Sequence, residues 1–545
     1  MNTLSPCKPV RLVSKGSFWL ALGLISMVFL PLMPGLYRIG VDFVQASHWL
    51  AIWQDSQTKS ALIATLTSTI MSGVLALGLA LSISTEQYPL KAWQATVKRL
   101  PVLLAMPHAA FAIGFAFLFA PAGWLARAIT PLAGWNTPPN WLTVQDPYGI
   151  SLGIALAIKE SFFLLWVIMN LLGERYIAQQ ITVARSMGYQ RQQIWRSIIL
   201  PQIGPRMIWP FMAVLAYSLS VVDMALILGP GTPPTFAVLT WQWLSDTDPQ
   251  LQAQGNIASV ILLITLLALG ILLRVSWWLY QRFALNFTGI RQPNRISVMS
   301  RLYRLSVWMS FGLMGLIFIW SLAQSWFFPS LWPDALSIEA WMSADFIPFK
   351  TSLWLGLSSS FLALVMVLIW LEWGPRHSNA WLYAPLIFPV IPLAAAQYFT
   401  LLHLHLDGTA IGLIWSHLLW VLPYILLSLA GAYRQFDPRL MLTAQALGYS
   451  RWKTCLYIKW PLLMRPILAA TALGFTVSIA QYLPTLFAGA GRYSTVTTEA
   501  IALSSSGNRR TMAIQSVLLM VLPFLAFGLA AMVSNWRAKH RRGLR

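Results

Sequence analysis

Charge is what this sequence lacks. Only 10% of its 545 residues are Asp, Glu, Lys or Arg, where a soluble chain carries roughly a quarter. Acids are scarcer still, 16 against 37 Lys and Arg. Cysteine is almost missing: Cys7 and Cys455 are all there is. Two thiols do not make a disulfide scaffold, and no His or Cys cluster beside them suggests a metal site. No G-x-x-x-x-G-K-[ST] run occurs either, so the chain has no phosphate loop with which to hold ATP itself. What is present is apolar. Hydrophobic residues make up 57%, in repeated runs of about 20, the length that crosses a hydrocarbon core of about 30 Å. Barrel strands would be shorter and alternating. The sequence therefore reads as an all-α membrane protein.

Twelve spanning helices are expected, at about 16–37, 59–83, 101–120, 148–173, 207–228, 257–279, 303–323, 350–371, 381–401, 409–431, 467–487 and 512–534. Lys8, Arg11 and Lys15 precede the first run in the manner of a signal peptide. The run is too long for one and lacks a small-residue cleavage pattern, so it reads as a retained span.

The net charge of +21 is arranged by topology. With twelve spans and an inside amino terminus, about 29 of the 37 Lys and Arg fall on one side and seven on the other, with Lys159 inside a span; ten of the 16 acids lie opposite the basic side. Basic residues kept inside orient a membrane protein, which places both termini in the cytoplasm of a bacterial inner-membrane protein and leaves no nucleic-acid reading.

A repeat runs through the chain. Ala184-Arg-Ser-Met-Gly188-Tyr189-Gln-Arg191, followed by Pro201, matches Ala444-Gln-Ala-Leu-Gly448-Tyr449-Ser-Arg451, followed by Pro461, at an offset of 260. The same offset pairs Gly229 with Gly489, Gly231 with Gly491 and Thr235 with Thr495; upstream, Lys59–Leu62 aligns with Lys350–Leu353 at 291. Two parallel six-helix repeats follow, 1–300 and 301–545, with the pathway at their interface. The surplus in the first half falls at 121–147, which reads as an irregular outer loop.

The repeated loops, 174–206 and 432–466, each predict a helix (176–187, 435–446) ended by a glycine in a left-handed turn. A second helix and a proline leading into the next span follow. Each elbow projects from the membrane with basic residues, Arg191 and Arg196 in one and Arg451 and Lys453 in the other, as matched knobs for a two-fold symmetric partner.

Ala-x-x-x-Gly followed thirteen residues later by Pro resembles the "EAA loop" of binding-protein-dependent ABC importer permeases. The resemblance covers nearly the whole chain, as in fused ferric-iron and thiamine permeases. Ser218–Thr235 and Ile479–Leu486 resemble permeases of the YnjC type most. The acid that names the loop falls at Thr182 and Leu442. The resemblance implies a type I importer permease fold. It also implies two copies of a cytoplasmic ABC ATPase that bind ATP and Mg and grip Ala184, Gly188, Tyr189, Arg191, Pro201, Ala444, Gly448, Tyr449, Arg451 and Pro461. A periplasmic solute-binding protein would deliver cargo, and the chain itself would carry no catalytic residue, cofactor or metal.

Polar groups inside spans each require a reason, since a central charge costs roughly 2.5–3.5 kcal/mol. Lys159 and Glu160 either tie the bundle together by an interhelical ion pair or line the pathway. Asp223, Gln481 and Tyr482 either form an outer gate that guides a cationic or polar solute, or, for Asp223, a helix-end acid bonded to backbone. His417 reads as a packed residue. Gly229–Gly231 and Gly489–Gly491 read as outer turns, and 236–244 as a short helix on the periplasmic surface. The rival reading is an ion-gradient-driven transporter with two parallel six-helix halves. It is disfavoured by the matched elbows and by the lack of a Gly-x-x-x-Asp-Arg signature in 84–100.

Overall fold

The computed structural model describes residues 15–173, 175–284, 298–375 and 380–542. Cys7, Lys8, Arg11 and the basic residues of 285–297, 376–379 and 543–545 lie outside them. The first half runs α1 (Gly16–Val44), α2 (Thr58–Gln87), α3 (Lys91–Ala105), α4 (His108–Phe119), α5 (Trp124–Ala133), α6 (Ile150–Leu172), α7 (Arg175–Ser186), α8 (Arg191–Ser220), α9 (Asp223–Leu228), α10 (Phe236–Leu244) and α11 (Pro249–Leu279). The second runs α12 (Val298–Leu322), α13 (Ile347–Trp373), Trp381–Ile387 bent into α14 (Val390–His403), α15 (Ala410–Arg434), α16 (Pro438–Ala446), α17 (Arg451–Leu462), α18 (Met464–Ala480), α19 (Leu483–Gly489), α20 (Val496–Ala502) and α21 (Arg509–Arg542). Ten helices among the described residues are long and apolar enough to span, and two bent pairs raise the number to twelve. Leu267, Ile271 and Leu272 on α11 and Leu525, Leu529 and Met532 on α21 are exposed, an apolar surface of the kind a bilayer covers.

Equivalent contacts recur in the two halves. Ser72 of α2 donates to Ser218 of α8 at 2.8 Å, and Ser359 of α13 to Ser478 of α18 at 2.9 Å. Thr65 accepts from the Phe236 amide that opens α10, and Ser352 from the Val496 amide that opens α20. Small hydroxylated residues at these crossings let helices approach and bond across the interface. The contacts set the upstream offset at 287, not the 291 expected from Lys59 and Lys350. Ser72 and Ser218 are 146 residues apart and Ser359 and Ser478 are 119 apart, so the first half carries 27 more between them. Part of that surplus is α5, a helix where an irregular loop was expected. Its Arg127 is buried, donating to the carbonyls of Ala122, Phe327 and Ser330 and lying over Trp326. It is thereby tied to the segment around a small hairpin of β1 (Ala323–Ser325) and β2 (Ala335–Leu336). The helix-forming Leu125–Ala128 stretch was outweighed in the sequence by the surrounding Pro, Gly and Trp.

The leading spans are exchanged. α1 packs on α13 and α15 and, further along, on α14 and α11; α12 packs on α2 and α4 of the first half and on α21. α1 crosses α14 so closely that a Cβ on Gly35 would run into the Ala396 backbone. Three expected continuous stretches are also broken. The 207–228 run stops at Ser220 and resumes at Asp223, 467–487 stops at Ala480 and resumes at Leu483, and 101–120 breaks at Met106-Pro107. Pro107 has no amide to bond back into α3. α10 is a helix as expected, and most of it is buried against α2 and α11.

Candidate functional site

The elbows form the first candidate. α7 and α16 each end in a left-handed glycine, Gly188 at φ 84° and Gly448 at φ 89°. The closing bonds are the same: Gly188 N–H to Arg185 O and Tyr189 N–H to Ala184 O, then Gly448 N–H to Gln445 O and Tyr449 N–H to Ala444 O. This is the Schellman pairing, which satisfies the last helical carbonyls and favours glycine, with no Cβ, at the left-handed turn. Ala184 and Ala444 are buried with Ile181 and Met441, so one face of each helix is anchored. The other face is exposed and partly apolar: Val183, Met187, Leu442, Leu447 and Tyr449. These large apolar residues were missed in the sequence, where the basic residues drew the eye.

Arg191 and Arg451 do not project as knobs. Arg191 donates to the carbonyl of Glu86 at the end of α2, and Arg451 to both the side chain and carbonyl of Glu372 at the end of α13. Both tie an elbow to its own bundle. In the second half Glu372 also accepts from Lys459 at 2.5 Å and from Tyr433 at 2.8 Å, and the Lys459 ammonium sits 3.8 Å from the Tyr433 ring centre. Between elbow and span, each helix takes a wide π-turn before its proline, Trp195–Ile199 ahead of Pro201 and Cys455–Lys459 ahead of Pro461. A π-turn shifts the bonding register by one residue. The first helix then continues to Ser220, whereas the second bends by 80° between α17 and α18. Pro466 stands in the first turn of α18, where it has no amide to bond back across the bend.

The second candidate lies within the membrane. Lys159 and Glu160, adjacent on α6, turn apart. The Lys159 ammonium donates to the carbonyls of Leu103 (3.1 Å) and Met106 (2.6 Å), closing the end of α3 at the break. Glu160 meets His108, the first residue of α4, at 3.1 Å. The His108 ring packs on Tyr217 at 4.7 Å between centroids, and the Tyr217 hydroxyl reaches Asp223 at 3.5 Å. Tyr482 lies within electrostatic range of Asp223, and Tyr424 of Glu160. Gln481 instead points its amide at the His417 carbonyl, 3.5 Å away, and its side-chain oxygen has no partner among the described residues. His417 is fully buried with both ring nitrogens bonded, to Ser478 and Thr485.

The structure thus gathers Glu160, Asp223 and Tyr482 and sets the Lys159 ammonium and Gln481 apart. His108, Tyr217 and Tyr424 join the cluster unanticipated. The one available signal was a histidine directly after a proline inside an apolar run. Asp223 stands at the break between α8 and α9, and Gln481-Tyr482 at the matching break between α18 and α19. Interrupted helices at corresponding places in two halves mark the site in transporters.

The chain is 40% identical over 522 residues, 96% of its length and 97% of the relative's, to "Inner membrane ABC transporter permease protein YnjC" of Escherichia coli (strain K12). The chain belongs to the ABC transporter permeases. This permease is also 24% identical over 522 residues, 88% of its length and 90% of the relative's, to "Thiamine transport system permease protein ThiP" of the same strain. It is 30% identical over 109 residues, 20% of its length and 38% of the relative's, to "Spermidine/putrescine transport system permease protein PotC homolog" of Mycoplasma genitalium (strain ATCC 33530 / DSM 19775 / NCTC 10195 / G37). No family model matches the permease. Its apolar helices and its relatives make it a multi-pass inner-membrane protein with the role of a transport subunit.

Proposed function

We propose that the permease is the membrane subunit of an ATP-driven importer, assembled from two repeats spanning 1–300 and 301–545 with both termini in the cytoplasm. The two elbows seat two copies of an ABC ATPase, which binds ATP and Mg and supplies the energy. Ala184 and Ala444 anchor each elbow; Gly188 with Tyr189 and Gly448 with Tyr449 shape its tip; Arg191 and Arg451 fix it to the spans; Pro201 and Pro461 lead into them. One observation carries this reading: two Schellman turns with the same bonds and the same burial, each presenting an exposed, partly apolar tip. A symmetric pair of partners calls for such a pair of seats.

A periplasmic binding protein delivers a small solute, which passes between the halves along Asp223, Tyr482 and Glu160. Relatives named for thiamine and for spermidine and putrescine support a small polar cargo. The test is co-expression with candidate ATPase subunits and uptake into proteoliposomes. Uptake should require the ATPase and stop with a hydrolysis-dead version. Gradient-driven uptake by the permease alone would overturn the reading.

A further inference from the structure

We propose that Asp223, the His108–Glu160 pair and the rings of Tyr217, Tyr424 and Tyr482 form a binding site for a small organic monocation within the membrane. The inference rests on the permease reading and names the chemistry of what passes.

The charges come first. Asp223 is nine-tenths buried, and no Lys or Arg pairs with it; the one basic side chain acting on it among the described residues is His108. Glu160 is equally buried and meets His108, while the neighbouring Lys159 ammonium supplies one positive charge and is held by two carbonyls. Two carboxylates face the cluster, the one nearby ammonium is turned away to the α3 carbonyls, and no Lys or Arg among the described residues is bonded to either carboxylate. A buried carboxylate at this depth is costly until something compensates it. An incoming organic cation supplies that compensation.

The rings come next. Tyr217 and Tyr424 are surrounded by protein, yet each keeps part of its surface open, as does Tyr482. The His108 side chain is 32% exposed. The hydroxyls of Tyr424 and Tyr482 have no hydrogen-bond partner among the described residues. Aromatic faces beside carboxylates are how proteins hold organic ammonium groups.

The backbone agrees. Val221-Val222 and Gln481-Tyr482 are non-helical within spans, which hydrocarbon does not tolerate but a protein interior or a cavity lining does. The cluster draws on α4, α6, α8 and α9 from one half and α15 and the α18–α19 break from the other, so a change in the distance between halves opens or closes it.

The experiment uses the full permease in nanodiscs, with thiamine and choline as monocation probes and glucose and citrate as neutral and anionic controls, read by calorimetric titration. At least one monocation should bind saturably and the controls should not. Asp223→Asn should weaken that binding by about thirtyfold or more, the scale for removing one partner of a buried charge pair. Asp223→Glu should restore most of it, which separates lost charge from lost folding. Failure of both monocations to bind, equal binding of glucose or citrate, or unchanged affinity in Asp223→Asn would overturn the site. Co-purification of the ATPase with the same variants judges the importer reading separately, since among the described residues the cluster makes no hydrogen bond or ion pair to the elbow tips.

Discussion

The Lys459 ammonium donates to the Glu372 carboxylate at 2.5 Å, both groups buried, on the span side of the second elbow. Among the described residues the first elbow has nothing like it. Residue 199, equivalent to 459, is Ile, and the Glu86 carboxylate reaches away to Arg304 and Ser300 of α12. Two elbows with the same turn are therefore held to their spans unequally, the second by a buried carboxylate shared among Arg451, Lys459 and Tyr433. Removing one member of a buried pair strands the other, at about 3–5 kcal/mol. Glu372→Ala should lower stability on that scale, whereas Glu86→Ala, a half-exposed pair, should cost about 1 kcal/mol or less. Unfolding of the two variants in detergent measures the contrast, and equal losses would contradict it.

Gly188→Val and Gly448→Val place a β-branched side chain at a φ that costs such residues about 1–2 kcal/mol. The strain falls on the exposed tip of each elbow, outside the packed spans. The expected result is weakened ATPase co-purification with little change in unfolding temperature, and Asn at either position should be better tolerated. A variant that retains its ATPase at the wild-type level would show that the turn does not shape the seat.

Lys159 and Glu160 should now separate. Lys159→Met leaves the Leu103 and Met106 carbonyls unbonded, a loss of about 1–3 kcal/mol, but removes nothing that faces the tyrosine rings. Its effect should be on thermal stability, with the preference among cationic solutes intact in proteoliposome uptake. Glu160→Gln should alter that preference. The opposite assignment of effects would return Lys159 to the pathway.

The sequence exposed what rests on local or periodic signals. Spans follow from apolar length, the offset of 260 from repeated Gly and Pro, and the left-handed turns from Gly188 and Gly448 themselves. Register upstream was missed because Lys59 and Lys350 mark where spans begin, whereas Thr65, Ser72, Ser352 and Ser359 mark what they touch. The inner cluster was half visible. Asp223 and Glu160 are conspicuous in apolar runs, but Tyr217 and Tyr424 look like ordinary interfacial aromatics, and only folding brings them to His108. Arg191 and Arg451 were misread because a basic residue on a loop gives no sign of turning back onto a span end.

The exchange of α1 and α12 was invisible for the same reason, and it makes a strong demand. If each half were self-contained, a chain split between 285 and 297 would give two fragments that fold alone. Instead α12 covers α2 and α4, with Leu313 and Ile317 seated against Gly114, and α1 covers α13, α14 and α15. A fragment ending at 290 keeps α1 with α11 but without α13, α14 and α15, and bares the face that α12 covers. Expressed singly, fragments 1–290 and 291–545 should be protease-sensitive; co-expressed, they should purify as one protease-resistant complex. A first fragment that resists protease by itself would mean that the exchanged packing contributes little, and that each repeat holds its own fold.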